Sequence, residues 1–403
     1  MAGNKTTRKL ARREFLAGTA AAAAFTIVRP SAVRGSEANA TIELGLLGCG
    51  GRGTWIVKLF EKHGKYKFVT CGDYYQEHAD RVGELCKIDP SKRFSTLSAY
   101  KKMYETKFDA VVIETPPYFH PEQAAAAVEA GKHVYTAKPI AVDVPGCQSI
   151  AASGKQATEK KLVFLVDFQT RANEFYREAA TRVHRGDIGK LVCGVAAYPC
   201  GVLGLKPPAT PDDRLRYWYC DKAIGGDFIV EQSIHALDVA TWIFDAAPVA
   251  AMGRGGSKGL RTYGDIWDYF TLVYEFPDNL GLSFHCVQMT HGAPNEITCR
   301  IYGSQGTFDS DYYDHVCIRA PNKGYAGGKF KDLYDSGTVV NIKEFYEFVT
   351  TGNCANTTVA PSVRSNLTAI LGRTAGYKKE PITWNELMSS TERLAPDLSG
   401  LKS

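Results

Sequence analysis

Two segments of the chain carry side chains that could move a proton. Lys138 lies between a predicted strand end and Pro139, where burial would depress the pKa of its ammonium group and let it relay a proton. Glu231, His235 and Asp238 follow at i, i+4 and i+7, a spacing that predicts three polar groups on one helix face. A histidine beside a carboxylate can serve as a general base. We therefore predict Lys138, His235 and Glu231 as catalytic residues.

Each of these assignments has a structural alternative. Lys138 could be an ordinary surface lysine that follows a strand. The helix could turn its polar face to solvent, or bury a histidine that Glu231 satisfies. Glu231 and His235 could also bind a metal, but the sequence offers no third ligand at a telling spacing, so we predict no metal site.

A glycine-rich turn predicts a dinucleotide site. Residues 48–53 read Gly-Cys-Gly-Gly-Arg-Gly, which fits G-x-G-x-x-G, between a short apolar run and a helical pattern. In this motif Gly48 permits the tight turn, Gly50 lets a pyrophosphate approach the backbone, and Gly53 lets the helix pack close to the strand. The N–H groups and partial positive charge of the helix N-terminus then attract the phosphates.

Asp73 ends the next apolar run, about 20 residues after the last glycine, where an acid grips the ribose hydroxyls. Its charge would repel a 2′-phosphate, so the sequence favours NAD over NADP. NADP stays the alternative cofactor, because the guanidinium of Arg52 could reach a phosphate. The alternative is a glycine-rich turn with no ligand. The predicted cofactor contacts in this part of the chain are Gly48, Gly50, Gly51, Arg52, Gly53 and Asp73.

Alternating strand and helix patterns predict a parallel, doubly wound α/β sheet around the turn. The predicted strands are 42–47, 67–71, 109–113, 133–136 and 162–167, and the predicted helices are 54–63, 121–130 and 145–160. Ligands bind at the C-terminal strand ends of such sheets. We therefore expect further cofactor contacts from Thr115, Pro116, His120, Lys138 and Gln169.

After Phe168 the pattern changes to an α+β domain with a large, mostly antiparallel open sheet. The predicted elements are helices 175–185 and 228–244, a Gly/Pro-rich loop at 201–216, strands 270–276, 280–284 and 297–302, and amphipathic helices 340–349 and 361–377. The chain thus divides into a leader at 1–40, a Rossmann domain at 41–168, and a substrate and oligomerisation domain at 169–403 with C-terminal helices. The open sheet predicts a homo-oligomer.

The composition excludes several classes of protein. A net charge of +5 without a basic–aromatic pattern gives no reason to expect nucleic acid as a partner. The 11 cysteines are scattered and include no C-x-x-C pair, which excludes a disulfide framework and a zinc ribbon.

The first 40 residues have the pattern of an export signal. Arg12-Arg13-Glu14-Phe15-Leu16 precedes an Ala-rich apolar stretch, as in a twin-arginine signal. The stretch is too short for a stable membrane span, and we predict none in the mature protein. An ordinary secretory leader or a disordered basic tail is the alternative. We expect a periplasmic or otherwise exported protein that folds around its cofactor in the cytoplasm.

Four segments together resemble the glucose–fructose oxidoreductase, inositol dehydrogenase and MocA family. They are the glycine turn with Asp73, Thr115-Pro116-Pro117 through His120, the lysine-proline pair at 138–139, and the helix from Gly225-Gly226 to Asp238. The resemblance covers essentially the whole mature chain. It implies NAD(P)-linked hydride transfer at a carbon of a sugar, polyol or glycoside, in which Lys138 orients the hydroxyl and His235 exchanges its proton. The family usually has an acid where this chain has Ala137, and an Asp where it has Glu231.

The predicted substrate contacts are Arg171, Trp218, Tyr219, Lys222 and His235, since aromatic faces and bidentate donors suit a sugar ring. Each of the first four could instead be structural. The leading interpretation is an oxidoreductase with tightly bound NAD. An NAD-dependent glycosidase that oxidises, eliminates and re-reduces would use the same residues. A non-enzymatic carbohydrate or dinucleotide binder is a third interpretation, against which Lys138 and His235 argue.

Overall fold

The computed structural model describes residues 41–202, 207, 209–210, 212–259, 262–288 and 295–403. The predicted leader at 1–40 lies outside the described residues. The fold described below is that of Thr41–Ser403.

The first half forms a six-stranded sheet in the order β3-β2-β1-β4-β5-β6, and every neighbouring pair is parallel. Its strands are β1 Ile42–Leu47, β2 Tyr66–Asp73, β3 Arg93–Ser95, β4 Ala110–Ile113, β5 His133–Ala137 and β6 Phe164–Asp167. The connecting helices are α1 Gly51–His63, α2 Gln76–Cys86, α3 Ala99–Glu105, α4 His120–Glu129 and α5 Val144–Glu159. The predicted doubly wound parallel sheet is confirmed.

The strand order places the glycine turn at the point where the chain changes direction across the sheet. β1 lies between β2 and β4, so the chain moves to one side after β1 and later returns to the other. A crevice opens at the C-terminal strand ends of such a switch point. β4 and β6 are buried along their whole length, as expected for strands covered on both faces.

The second half is built on a nine-stranded sheet in the order β14-β13-β12-β11-β7-β10-β9-β8-β15. Its neighbouring pairs are antiparallel except for β7 and β10, which are parallel. The strands are β7 Leu191–Cys200, β8 Ala250–Gly256, β9 Tyr269–Phe276, β10 Leu280–Gln288, β11 Thr298–Gly303, β12 Thr307–Asp311, β13 His315–Arg319, β14 Tyr325–Lys329 and β15 Ile382–Thr383. The predicted mostly antiparallel sheet is confirmed.

The helices of this half cover one face of the second sheet and also reach the first. They are α6 Gln169–Ala172, α7 Glu174–His184, α8 Asp213–Arg216, α9 Lys222–Gly225, α10 Phe228–Glu231, α11 Ile234–Phe244, α12 Leu333–Thr351, α13 Val359–Lys378 and α14 Trp384–Met388. α12 packs against α1, where the rings of Trp55 and Tyr334 stack with centroids 4.4 Å apart. Among the described helices, none combines the length and apolar character that crossing a bilayer requires.

The predicted single helix 228–244 is wrong, because it is broken in the middle. α10 ends at Glu231, and α11 begins at Ile234. At the break the N–H groups of Gln232 and Ser233 both donate to the carbonyl oxygen of Phe228, at 2.9 and 3.0 Å. Glu231 and His235 are therefore on different helices, and the predicted common face of three polar groups does not exist.

Candidate active site

The glycine turn presents an open backbone surface to a cavity of about 340 Å³. Gly48 has φ +87°, which favours glycine, and a Cβ on Gly53 would lie 1.8 Å from the Gly48 carbonyl oxygen. A Cβ on Gly50 or Gly51 would instead meet nothing within 4 Å. The turn is thus tight on its inner side and open on its outer side, which fits the pyrophosphate of a dinucleotide at the start of α1.

Asp73 lies in the wall of this cavity and also holds the turn. Its Oδ2 accepts the N–H of Cys49 at 2.6 Å, and its Oδ1 accepts the N–H of Tyr75 at 2.9 Å. The Nδ1 of His78 is 3.4 Å from Oδ1. The acid at the end of β2 is therefore fixed beside the turn, where a ribose would meet it.

Residues 212–218 cross from the second half of the chain to the same cavity. The hydroxyl of Tyr74 donates to Asp212 Oδ1 at 2.7 Å, and the hydroxyl of Tyr75 donates to the Asp212 carbonyl oxygen. The guanidinium of Arg216 lies 4.0 Å from the centre of the Tyr75 ring and pairs with Glu77. This 212–218 segment thus covers the end of the cavity that contains Asp73.

The last residues described also reach this end of the cavity. The N–H of Lys402 donates to the Tyr74 hydroxyl oxygen at 3.2 Å, and the carbonyl oxygen of Lys402 accepts from Leu97 N–H at 3.0 Å. Arg214 donates to the carbonyl oxygen of Asp397 at 2.8 Å. The 212–218 segment is therefore itself held by the chain's last residues.

A second cavity of about 430 Å³ adjoins the first. The two share Gly50, Gly51, Glu114, Thr115 and Trp218 in their walls. The second cavity brings together the side chains of Lys138, Glu231 and His235, as the sequence predicted. A groove therefore runs from Asp73, past the glycine turn, to the candidate acid–base residues.

Lys138 is held by the break between α10 and α11. Its Nζ donates to the carbonyl oxygen of Glu231 at 2.6 Å, and the Glu231 carboxylate is 3.7 Å away. The lysine side chain is only 11% exposed, so it is not an ordinary surface lysine. Burial lowers the pKa of Lys138, the charge of Glu231 opposes this shift, and Arg52 adds to it.

His235 lies in the first turn of α11 and is buried. Its Nδ1 has no hydrogen-bond partner among the described residues. Burial lowers the pKa of His235 well below its usual range, and the positive charges of Lys138 and Arg52 lower it further. The imidazole is therefore neutral at physiological pH, which is the state that a proton acceptor needs.

Thr115 and His120 position the neighbouring strand ends. The ring of His120 lies 2.6 Å from the Thr115 carbonyl oxygen through Nε2 and 2.9 Å from the Pro139 carbonyl oxygen through Nδ1. It is buried, and burial lowers its pKa to about 4. The Thr115 hydroxyl donates to Gln123 at 2.6 Å. His120 thus links the loop after β4 to the loop that contains Lys138. Thr115 and Pro116 line the first cavity.

Arg52 does not lie where a 2′-phosphate would bind. Its Nε donates to Glu114 and its Nη2 to Asp167, both at 2.7 Å, and its Nη1 donates to Tyr334. The side chain lines the second cavity, whereas Asp73 lines the first. The expectation that Arg52 keeps NADP open is therefore wrong, because both carboxylates hold its guanidinium elsewhere.

Several predicted contacts are not in the cavity walls. Gln169 is fully buried, and its amide donates to Asp167 at 3.1 Å and Thr338 at 3.2 Å. Arg171 donates to both oxygens of Asp238, at 2.9 and 3.0 Å. Both side chains thus bond neighbouring groups and do not face the two cavities, since buried polar groups in proteins are normally hydrogen-bonded.

Of the predicted aromatic and lysine contacts on the substrate side, only Trp218 lines the cavities. Tyr219 packs against Trp218, with ring centroids 6.0 Å apart. The ammonium group of Lys222 lies 4.4 Å from the centre of the Tyr377 ring. The structure therefore brings one of these three residues to the groove and directs the other two to their neighbours.

The sequence reasoning missed most of the wall that the second half supplies. From the second half, the second cavity is also lined by Tyr198, Gln232, Ile297, Tyr312, Tyr313 and Tyr334, and from the first half by Glu114. Tyr312 and Tyr313 follow β12, and Tyr198 lies near the end of β7, two strands that were not predicted. In the sequence, the two adjacent tyrosines between aspartates at 311–314 are the pattern that could have indicated this part of the wall.

One cluster in the described part of the chain has metal-ligand chemistry. Ligand atoms of Asp309, His315 and Cys317 lie within 4.8 Å of one another. Asp309 already accepts from Arg300, at 2.9 Å, and from Arg319. These arginines occupy the carboxylate, and none of the three candidate ligands lines the groove.

Comparison with known proteins agrees with this geometry. A family model described as an oxidoreductase family with an NAD-binding Rossmann fold matches residues 42–168, and the GFO/IDH/MocA C-terminal domain matches 176–309. The NAD⁺-linked scyllo-inositol 2-dehydrogenase of Bacillus subtilis strain 168 is 25% identical over 246 residues, which are 60% of this chain and 65% of that protein. The inositol 2-dehydrogenase of Rhizobium meliloti strain 1021 is 23% identical over 340 residues, 82% of this chain and 94% of that protein.

Solved structures show the same fold. Levoglucosan dehydrogenase in complex with NADH and L-sorbose superposes with a TM-score of 0.71 at 18% identity, and the match covers 87% of this chain and all of that one (100%). The predicted fold class and the predicted cofactor, NAD, are confirmed. Since the two family models together match more than half of its residues, the chain belongs to the Gfo/Idh/MocA family of NAD-binding oxidoreductases.

Proposed function

We propose that this protein transfers a hydride between NAD and a hydroxyl-bearing carbon of a sugar or polyol. The observation that carries the proposal is the groove that joins the glycine turn to Lys138 and His235. The relatives described above are named for inositol and levoglucosan, which are a polyol and an anhydrosugar. Their names favour a substrate of the same class.

The chain's own residues have separate tasks in this reaction. NAD, when bound, supplies the hydride acceptor. Lys138 donates a hydrogen bond to the substrate oxygen, and the Glu231 carbonyl fixes its ammonium group. His235 is neutral and enclosed, and it accepts the proton of the substrate hydroxyl as the hydride leaves the carbon that bears this hydroxyl. The tyrosines of the second cavity offer flat surfaces to the apolar face of a sugar ring.

A substrate screen tests this function. Purified protein is offered inositols, aldoses, anhydrosugars and aryl glycosides, and both nicotinamide absorbance and products are followed. We expect NADH to appear with one or more polyols or sugars and to be lost in His235→Ala. Release of an aglycone without net NADH would point to the glycosidase alternative. The relatives named above are dehydrogenases, which favours the oxidoreductase.

We also propose that the protein is exported in folded form by a twin-arginine signal, with NAD already bound. Arg12-Arg13 and the apolar stretch after them motivate the signal. The contacts of the 212–218 segment with Tyr74 and Tyr75 support slow release of NAD from the covered end. Cys49, Cys71, Cys147 and Cys299 carry free, buried thiols, which suits a protein that folds under reducing conditions.

Two measurements test retention and export. Protein purified without added NAD should release dinucleotide on denaturation in a large fraction of molecules. Replacement of Arg12-Arg13 by two lysines should keep the protein in the cytoplasm. Protein that is isolated empty and exchanges NAD at every turnover would contradict retention, and unchanged export of the lysine variant would contradict the signal.

We further propose a homo-oligomer that forms through the open face of the second sheet. This face exposes the apolar side chains of Val192, Val195, Met252, Val273 and Tyr302. Such a patch on a soluble protein marks an interaction surface. Light scattering should give a mass above 44.1 kDa for one chain, and Val273→Lys should reduce it. A wild-type protein that stays monomeric would contradict the proposal.

A further inference from the structure

Exposed aromatic rings concentrate in the wall of the second cavity. Among the described residues, the exposed Tyr, Trp and Phe side chains are those of Tyr302, Tyr313 and Tyr334. Tyr302 belongs to the open face of the second sheet, whereas Tyr313 and Tyr334 line the second cavity. A single exposed apolar side chain is normal on a protein surface, but a ring that is exposed within a cavity wall is available to a ligand.

The chain's own contacts engage Tyr334 but leave a face of Tyr313 open. The ring of Tyr334 stacks on Trp55 with centroids 4.4 Å apart, and its hydroxyl oxygen accepts from Arg52. Tyr313 instead meets Tyr312 at an interplanar angle of 75°, with centroids 5.4 Å apart. A perpendicular contact covers at most one face of either ring, and Tyr313 is 48% exposed. Tyr313 therefore offers the cavity a flat apolar surface.

Hydrogen bonds of the turn between β12 and β13 fix the backbone of Tyr313. Its N–H donates to Asp311 Oδ1 at 2.9 Å, and the N–H of Asp314 donates to the Asp311 carbonyl oxygen at 3.2 Å. The Asp314 carbonyl oxygen in turn accepts the N–H of Phe330 at 2.9 Å. A tyrosine on a fixed backbone has only two side-chain torsions to order, so it gives a large contact area at a small entropic cost.

A row of three rings leads from the proposed proton acceptor to Tyr313. The ring centroid of Tyr312 is 5.4 Å from that of His235 on one side and 5.4 Å from that of Tyr313 on the other. Tyr312 is buried, whereas Tyr313 is exposed. A sugar that presents its hydroxyl to His235 therefore lies beside Tyr312 and leaves the ring of Tyr313 to a group attached to that sugar.

We propose that the substrate is an uncharged glycoside: one sugar unit is oxidised, and a second ring, a sugar or an aromatic aglycone, stacks on Tyr313. This assignment rests on the proposed function. The oxidised carbon loses its hydride to NAD and its hydroxyl proton to His235, and the glycosidic bond stays intact. The cationic side chains of the described wall, Arg52 and Lys138, already face acids. A carboxylate or phosphate on the substrate would therefore find no free counter-charge among them.

Matched substrates test the stacking on Tyr313. Glucose, galactose and mannose are compared with disaccharides that carry each sugar at the non-reducing end and with their phenyl glycosides. Wild type should turn over at least one two-ring compound with a kcat/KM roughly tenfold above that of its free sugar. Tyr313→Ala should remove this advantage through KM and leave the free sugar unaffected, whereas Tyr313→Phe, which keeps the ring, should retain it. Free sugars as good as every glycoside, or equal losses for both in Tyr313→Ala, would overturn the proposal.

A binding measurement separates this proposal from the proposed function. Wild type and Tyr313→Ala, both loaded with NAD, are titrated calorimetrically with the same compounds; Tyr313 is exposed in a turn, so the variant should fold. Binding that depends on Tyr313 without any NADH would refute hydride transfer alone. A preference for disaccharides or for phenyl glycosides would support the proposal and identify the second ring. Binding independent of Tyr313, or no binding of any two-ring compound, would overturn it.

Discussion

The ammonium nitrogen of Lys138 lies 2.6 Å from the main-chain carbonyl oxygen of Glu231, whereas the carboxylate of Glu231 is 3.7 Å from it. Glu231 is the last residue of α10, and carbonyl groups at a helix end have no partner within the helix. The break between α10 and α11 therefore supplies the acceptor that fixes the lysine. Because α11 begins at the break, His235 lies in its first turn. One irregularity therefore positions both proposed acid–base residues.

The contact between Lys138 and the Glu231 carbonyl predicts that substitutions of Lys138, His235 and Glu231 lower kcat to different extents. Lys138→Ala and His235→Ala should each lower kcat about 10²–10⁴-fold, as expected for the loss of acid–base assistance, with NAD affinity retained. Glu231→Gln should cost less than tenfold, because its carbonyl still holds Lys138. Steady-state kinetics and NAD titration measure both quantities. Near-normal kcat in both the lysine and the histidine variants would contradict the acid–base roles given to Lys138 and His235.

Asp73 should determine cofactor choice. Asp73→Ala should weaken NAD binding and reduce the preference over NADP, since the repulsion of a 2′-phosphate is lost. It also removes the acceptor of the Cys49 N–H, so part of the loss reflects a loosened turn. Asp73→Asn is the matched control, because its oxygen can keep that hydrogen bond without the charge. Wild-type protein that binds NADP more tightly than NAD would contradict the assignment.

The 212–218 segment should slow the release of NAD. Asp212→Ala and Arg216→Ala remove contacts with Tyr74, Tyr75 and Glu77, and each should speed NAD dissociation about tenfold, from the loss of roughly 1.4 kcal/mol of contacts. Displacement by excess fluorescent NAD analogue measures the rate. Arg254→Ala, an exposed arginine on β8, is the control and should dissociate like wild type. Equal rates in all four proteins would exclude a covering role.

The protein should lose stability on mild acidification. His133 accepts the N–H of Val163 on Nδ1 at 2.9 Å, which requires a neutral ring, and burial lowers its pKa to about 4. An unfolded histidine takes up its proton near pH 6.5, so stability falls between pH 6.5 and about 4, by roughly 3 kcal/mol for this residue. His133→Asn, which keeps an acceptor, should flatten the pH dependence of the urea midpoint. An unchanged slope would contradict this origin.

The Arg171–Asp238 pair should matter for stability rather than for substrate binding. Asp238 is fully buried and also accepts from Ser365 at 2.6 Å, while Arg171 donates to both of its oxygens. Asp238→Ala leaves a mostly buried guanidinium without its partner and should cost about 3–5 kcal/mol of unfolding free energy. Arg171→Met/Asp238→Leu should recover much of this loss. If Asp238→Ala is as stable as wild type and has a raised KM, the result would instead support Arg171 as a substrate contact.

The sequence was most informative where local chemistry decides the structure. From Ile42 to Asp73 the apolar runs, the glycines and the terminal acid leave few alternatives, and strand, turn and helix lie as predicted. The break after Glu231 could not be predicted, because the apolar periodicity continues through it. Gln232 at the break accepts a hydrogen bond from Gln288 of β10 at 2.6 Å, a partner 56 residues away.

The missed strands and the misplaced side chains have a similar cause. β7 contains Gly194 and Pro199, which weaken a strand signal, and it forms because β10 and β11 pair with it on both sides. Arg171 and Gln169 carry the right chemistry for a substrate site, but nearby buried acids hold them. Only the packed structure shows which hydrogen-bond donors are already paired with buried acids. The sequence pattern therefore assigned more residues to the substrate site than line it.

The contact between Tyr74 and Lys402 joins positions 328 residues apart in the chain. During synthesis the whole first sheet therefore leaves the ribosome before the residues that close over it exist. The end of the groove that contains Asp73 therefore lacks its contact with Lys402 until that residue has been synthesised. A purification tag fused beyond Ser403 would begin beside this entrance, so an amino-terminal tag placed after the leader is the better choice for measuring native exchange of the cofactor.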